Sequence, residues 1–475
     1  MKRIIYLAIA LGMTSPLVNS CRESALEPAL SQDKPLEGNV NNAEALKSLL
    51  SGIYSRMSDG SYYGRDVILY GEVRSDNAFS SGATHRFVEL GQMKLIDNSI
   101  EPNSVWPQLN SIIVSTNIII NANNVSGNKD EVAHYKCEAY ALRALAHFDL
   151  LKIFGQQDVA GEGGMSALGI PYVKEFGEVI TPKRNTVQEV YDNIMADLDR
   201  AISLMPASKD SPTRHTITTN AVKALKARVA LYFKQYDIAA KYAKEVIDSG
   251  EYNIASPEEF ATTFNTDSTS NQIFSIDNND TDNTGINSLA RIYTSRKKHG
   301  FGDIEFLKDL YSIYEDSDVR KEFFTISEKA TEEENRYRCK KMVDPSLVGS
   351  YDIPIIRYEE VILIYAEALL KQGNASTALT YLNQIAENRG ETPYQVATMD
   401  NILLERRKEF AGEGFRFYDL VRTGRDIPVV DKTLQTYGGG PNRDQAVPYG
   451  SYKLAFPFPL RELRANKFIK QNKGY

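Results

Sequence analysis

Residues 221–249 read AVKALKARVALYFKQYDIAAKYAKEVIDS, and residues 360–388 read EVILIYAEALLKQGNASTALTYLNQIAEN. Set one above the other, Ala227 meets Ala366, Leu231 meets Leu370, Ala239 meets Ala378 and Val246 meets Ile385. Each segment carries a helical pattern, a tight turn and a second helical pattern, with small residues where two antiparallel helices cross closely. Two unrelated helical hairpins are the plain alternative. The matched alanines favour a tetratricopeptide-like unit of about 34 residues. Two such units bury too little, since about three or more must stack to close a continuous core.

Working outward, helical patterns at 43–57 with 108–124, and at 131–153 with 186–204, supply further pairs alongside 217–249 and 357–389. Cys137, Ala141, Ala144, Phe148 and Leu151 line one face of 131–153. Thr186-Val187-Gln188-Glu189 fits a capping box, and Ser256-Pro257-Glu258-Glu259 is another helix start. The fold class expected is mostly α: a tetratricopeptide-like superhelix of about four helix pairs with a loop-rich, irregular half carrying small β elements. That half includes 59–107, 265–300 and 424–460. With 156–185 and 325–354, these polar stretches are too long for simple connections. Asn271 to Ile276 is the clearest strand within them.

The N-terminus reads as an address. Lys2 and Arg3 precede an apolar run, Ile4 to Met13, that is too short to span a bilayer. Leu17-Val18-Asn19-Ser20-Cys21 follows and resembles a lipoprotein cleavage box. The alternative is an ordinary secretory signal with an incidental cysteine. On the lipoprotein reading, 1–20 is a signal peptide, Cys21 carries the lipid anchor, 21–42 is a polar tether and 43–475 is one domain.

The composition excludes several classes. With 42% hydrophobic and 25% charged residues, the chain is globular rather than disordered. A net charge of -7 argues against a nucleic-acid partner. Five His and three Cys exclude a zinc-rich or disulfide-dense scaffold; export to an oxidising compartment would allow Cys137 and Cys339 to pair, but Cys137 on the apolar face of a helix favours two free thiols. There is no H-E-x-x-H, G-x-S-x-G, Walker A or G-x-G-x-x-G motif. No enzyme is therefore expected, although a two-carboxylate glycosidase leaves no linear signature. No cofactor or catalytic metal is expected either, and a structural Ca2+ is left open.

Four segments resemble one family. Glu138-Ala139 through Arg143-Ala144-Leu145-Ala146-His147-Phe148-Asp149-Leu150 to Phe154-Gly155 is the first. Ile353-Pro354-Ile355-Ile356-Arg357-Tyr358-Glu359-Glu360-Val361, running to Tyr365-Ala366-Glu367-Ala368, is the second. The third is Glu405-Arg406-Arg407-Lys408-Glu409 with Glu413-Gly414, Arg416, Asp419-Leu420 and Arg422. The fourth runs from Phe458-Pro459 and Glu462-Leu463 to Gln471-Asn472-Lys473-Gly474-Tyr475. With the N-terminal signal, the chain resembles SusD/RagB outer-membrane nutrient-binding lipoproteins of Bacteroidota. Phe410, Thr423 and Lys473 depart from the family pattern.

The resemblance implies a cell-surface, lipid-anchored protein that binds an oligosaccharide or peptide and delivers it to a SusC-like TonB-dependent transporter. A lipid-anchored glycoside hydrolase and a peptide-binding RagB-like lid are the alternatives. The charged residues from Glu405 to Arg416 are read as structural i,i+3 and i,i+4 pairs. Arg357 and Glu367 are read as buried partners between helices. Ligand contact is assigned to the loop half, where flat rings can meet sugar C–H faces and polar groups can meet hydroxyls. Tyr62, Tyr63, Arg74, Asp76, Asn77 and Trp106 come from one stretch, Arg291 and Tyr293 from another. Packing of large aromatics such as Trp106 into the core is the competing reading.

Overall fold

The computed structural model describes residues 40–475 except 178–180, 211–212, 261, 268, 327–335, 430–442 and 444. The expected signal at 1–20, the anchor Cys21 and the tether as far as residue 39 lie outside the described residues.

The helices of seven residues or more are α1 Ala43–Met57, α2 Asp66–Val73, α3 Ile100–Asn121, α4 Lys129–Phe154, α5 Val187–Leu204, α6 Thr219–Tyr232, α7 Tyr236–Asp248, α8 Tyr358–Lys371, α9 Ala375–Asn388, α10 Met399–Glu409 and α11 Arg416–Arg422. Their packing follows the pairing expected from the sequence: α1 with α3, α4 with α5, α6 with α7, and α8 with α9. The pairs also stack in chain order, α3 on α4, α5 on α6 and α7 on α8. Ala227, Ala239, Ala366 and Ala378 have no exposed surface, which lets the paired backbones approach. The fold class is the mostly α superhelix with a loop-rich half.

Caps stand where the local chemistry puts them. Thr186 Oγ1 accepts from Glu189 N at 3.2 Å while Glu189 Oε2 accepts from Thr186 N at 2.8 Å. Ser256 and Glu259 make the same reciprocal pair at the start of Pro257–Phe260. One boundary differs. The second long helix starts at Ile100, not at 108, and contains Pro107. Pro102 lies in the first turn, where a missing N–H is harmless. Pro107 sits in the interior, and α3 continues through it because both its flanks are packed: Val105, Trp106 and Leu109 are buried.

The loop half has its own small sheets. Strands β1 Ala78–Ser80, β2 Gln272–Ile276, β3 Ile304–Phe306, β4 Phe324–Ile326, β5 Tyr337–Cys339 and β6 Ile353–Arg357 form a four-stranded sheet in the order β1-β3-β5-β4 and a two-stranded ribbon of β2 with β6, all antiparallel. The strand expected from Asn271 is β2.

The family segments explain how the halves are joined. Asn472 Nδ2 donates to Phe154 O at 2.7 Å and Phe456 O at 2.6 Å, and Phe456 N donates to Ile153 O at 2.8 Å. The C-terminal block thus closes on the end of α4. Gly71 and Gly414 meet backbone to backbone, so that a Cβ on Gly71 would lie 1.8 Å from Gly414 O. Glu72 Oε1 accepts from Gly414 N at 2.8 Å beside that crossing. Cys137 and Cys339 are buried free thiols.

Buried polar groups on α4 are satisfied across pairs. Arg143 grips Asp197 with Nε and Nη2, both at 2.7 Å, and reaches Asn117 Oδ1 at 2.8 Å. His147 is fully buried, stacked on Tyr172 with ring centres 3.8 Å apart. Its Nδ1–H donates to Arg143 O at 2.9 Å and its Nε2 accepts from Val173 N at 3.1 Å, so the neutral imidazole fills both bonds. Burial holds its pKa at about 3. The folded value lies below the unfolded value of about 6.5, so this contribution to stability is complete above pH 6.5 and is lost as pH falls towards 3. Unfolding curves between pH 7.5 and 4 are expected to show falling stability, with a shallower slope in His147→Gln. An identical slope in the variant would disprove the assignment.

Candidate functional site

A cleft on the loop half has a volume of about 560 Å³ and is lined by residues within 293–298, 325–326 and 338–347. The end of β4, strand β5 and the turn after it form one wall, and the segment after Tyr293 forms the other. Lys297, Lys298 and Lys340 supply exposed ammonium groups. Arg338 stands behind them, donating to Ile304 O at 2.7 Å and to Glu305 Oε1 at 3.3 Å. Ile326, 44% exposed, provides an apolar surface with Val343 and Pro345. Asn265, Thr294, Ser295 and Thr325 add amide and hydroxyl groups.

Together these groups offer a ligand both polar donors and an apolar surface. Among the described lining residues, Asp344 is the single carboxylate. It accepts from Ser346 Oγ at 2.5 Å, Val348 N at 3.2 Å, Gly349 N at 2.6 Å and Ser350 N at 3.3 Å. Burial raises its pKa, but these donors outweigh burial and leave the net shift downward, so Asp344 stays ionised and committed. The Cys339 thiol is pushed up to about 12 by burial and is no nucleophile at neutral pH. Among the described lining residues, Asp344 therefore has no second acid to pair with as a glycosidase needs.

Of the eight residues expected to touch ligand, the structure brings one, Tyr293, to this cleft, and the other seven lie away from its lining. Tyr62 and Tyr63 donate to Asp149 Oδ2 at 2.7 and 2.8 Å. Tyr62 has no exposed surface, and Tyr63 borders a cavity of about 80 Å³ shared with Phe148, Arg228, Ile355 and Tyr418. Arg74, 1% exposed, lies 3.8 Å from the centre of the Phe417 ring and donates to Leu454 O at 2.8 Å. Burial lowers its pKa to about 10. Asp76 takes Arg416 Nε and Nη2 at 2.7 and 2.9 Å, and Asn77 joins Glu72 to Arg407 at 3.0 and 2.9 Å. Trp106 stands edge-on to Phe154 and Phe458 with its N–H on Glu462 Oε2 at 3.1 Å. Arg291 donates to His299 O at 3.0 Å, half-buried behind the 293–298 wall. Tyr293 alone borders the cleft, and its hydroxyl is turned inward to Gly412 O at 3.1 Å. The physical reason is common to the six from the first stretch. The stretch 59–107 folds into its own helices and a strand, and its aromatic and charged side chains become the seam against α4, α10, α11 and the C-terminal segment.

The sequence reading passed over the cleft's own cations. Their signal was present as charge runs, Arg296-Lys297-Lys298 and Arg336-Tyr337-Arg338-Cys339-Lys340-Lys341. The charged block at Glu405–Arg416 needs a correction. Its members pair across elements rather than along their helix. Glu405 meets Arg320 at 2.6 Å, Arg406 meets Asp419 at 2.8 Å, Glu413 meets Arg357 at 2.9 Å and Arg416 meets Asp76. Arg357 and Glu367 are buried partners as expected, the latter of Arg422 at 2.5 Å.

With this geometry in place, the chain belongs to the SusD/RagB family. Residues 317–475 match the SusD family profile, and residues 29–231 match a profile described as starch-binding associating with outer membrane. The chain is 25% identical to SusD-like protein P38 of Formosa agariphila over 98% of its own length and 97% of that protein. It is 33% identical to the starch-binding protein SusD of Bacteroides thetaiotaomicron over 28% of its own length and 24% of that protein. The crystal structure of a candidate sugar-binding protein of Bacteroides vulgatus superposes with a TM-score of 0.83 at 28% identity, covering 92% of this chain and 99% of that one.

Proposed function

We propose that the protein captures an oligosaccharide in the cleft lined by residues within 293–298, 325–326 and 338–347 and delivers it to a SusC-like TonB-dependent transporter. It does so at the cell surface, held to the outer membrane by lipid on Cys21. The observation that carries this reading is the pairing of exposed ammonium groups, Lys298 and Lys340, with the exposed Ile326 in one open cleft of about 560 Å³. Sugar binding needs both an apolar surface and polar donors. Membership of a family that includes starch- and sugar-binding proteins supports it. The commitment of Asp344 to backbone and hydroxyl donors favours binding without hydrolysis over the glycosidase reading.

The test is a glycan array on residues 22–475 followed by calorimetry on each hit. A saturable glycan that is recovered intact is expected. The double variant Lys298→Glu/Lys340→Glu is expected to weaken it by about tenfold or more, the scale of one or two lost charge-assisted contacts. Thermal stability is expected to be unchanged, because both side chains are exposed. Hydrolysis of the hit, or full affinity in the double variant, would overturn the reading.

A further inference from the structure

Away from the cleft, three side chains from separate parts of the chain converge. Strand β2 pairs with β6 so that Ile276 faces Ile353. Asp277 and Asp352, the next residues outward, therefore leave the ribbon at the same end. The segment leading into α6 lies beside it, with Arg214 O accepting from Ser275 N at 2.7 Å. This brings in His215, whose Nε2 stands 2.7 Å from Asp352 Oδ2. One ligand atom each from His215, Asp277 and Asp352 lies within 4.8 Å of the others. We propose that His215, Asp277 and Asp352 form a binding site for a divalent transition-metal ion of the Zn2+ type.

Three observations carry it. The first is the convergence itself, of an imidazole and two carboxylates from three distant stretches. Bonds of about 2.0–2.2 Å place ligand atoms of one ion about 3.3–4.4 Å apart, so a small rotation of the exposed Asp277 side chain closes the cluster. The second is Asp352. Its side chain is 2% exposed, and while Oδ2 holds His215, the neighbouring Oδ1 is buried with no hydrogen-bond partner. A carboxylate oxygen taken out of water and left unpaired is unfavourable, and a cation at this point removes the penalty. The third is charge. The two carboxylates of Asp277 and Asp352 stand with one imidazole, and the charge of Asp267 also acts on this cluster. A dication neutralises that excess.

The donor set selects the metal. Ca2+ takes six to eight oxygens, whereas an imidazole with carboxylates and one side open to water suits Zn2+ or Mn2+. The ion takes the place of the hydrogen bond between His215 and Asp352: Nε2 coordinates as neutral imidazole with its proton on Nδ1, and a proton is released only where the imidazole was protonated beforehand. The site ties the entry to the third helix pair to the β2–β6 ribbon of the loop half.

The full chain, stripped with a chelator and dialysed, would be titrated with ZnCl2, MnCl2 and CaCl2 by calorimetry and thermal melting. One equivalent of Zn2+ is expected to bind and raise Tm, with Ca2+ silent. His215→Gln and Asp277→Asn, neither fully buried, are expected to keep the wild-type circular dichroism spectrum. Each is expected to lose Zn2+ affinity at least about tenfold and to lose the Tm shift, the range seen when a metal site loses a supporting group. Absence of heat and of a Tm shift with both Zn2+ and Mn2+ in the wild type overturns the site. So does Zn2+ binding that survives both substitutions, or Ca2+ binding with Zn2+ silent.

Discussion

Glu409→Gln is expected to destabilise the fold by about 3–5 kcal/mol, the cost of leaving buried charge unpaired. Glu409 is the last residue of α10 and has no exposed surface. Its two oxygens serve three guanidinium groups: Arg357 at 3.0 Å, Arg389 at 3.1 Å through both Nε and Nη2, and Arg320 at 3.3 Å. None of these arginines is more than 2% exposed. Burial alone would raise the Glu409 pKa, but Arg389, Arg357 and Arg320 outweigh it and hold the carboxyl well below the usual range. A glutamine keeps the shape, removes the charge and turns one acceptor into a donor facing cations. Because the folded pKa is lowered, the wild-type advantage is complete above the unfolded value of about 4.3 and shrinks as pH falls below it. Urea unfolding of both proteins at pH 7 and pH 4 measures this directly. A loss under 1 kcal/mol at pH 7 would show that the network contributes little to stability.

Trp106→Ala is expected to cost about 3–5 kcal/mol through the cavity it leaves. The indole sits at the junction of α3, the end of α4 and the C-terminal segment. It lies 5.0 Å from both Phe154 and Phe458, and its N–H is satisfied by Glu462. Truncation removes the ring, leaves Glu462 without this donor and loosens the closure of the C-terminus on α4. As the single tryptophan of the chain, Trp106 also reports unfolding by its own fluorescence in the wild type, and circular dichroism follows the variant. Glycan affinity of the folded variant is expected to match the wild type, because Trp106 lies outside the lining of the 293–347 cleft. Loss of affinity at unchanged stability would return Trp106 to the binding surface.

Much of the architecture was legible in local patterns. The alanines at 227, 239, 366 and 378 mark helix crossings, because close approach requires small side chains wherever the partner lies. The capping pairs at Thr186 and Ser256 are legible because both partners sit within one turn. The start of α3 was not. Pro107 is unfavourable in a helix taken alone, and the burial of Val105, Trp106 and Leu109 that offsets it comes from elements distant in sequence. The burial of most of the expected binding residues was not legible for a similar reason. Tyrosine, arginine and asparagine in a long polar stretch have the same composition on a surface and in a seam, and only the partner across the seam separates the two.

By itself, the sequence determined the number and order of the helix pairs, the turns that start them and the family to which the chain belongs, since each depends on spacing within a few turns or on short blocks. The tertiary structure decided which charges are buried and which face solvent. Glu409 meets its three arginines, Asp76 meets Arg416, and His215 meets Asp352 only when distant segments pack. The energy of a charge depends on its surroundings rather than its neighbours in the chain, so the cleft at Lys298 and Lys340 and the cluster at His215 appear only once the chain has folded.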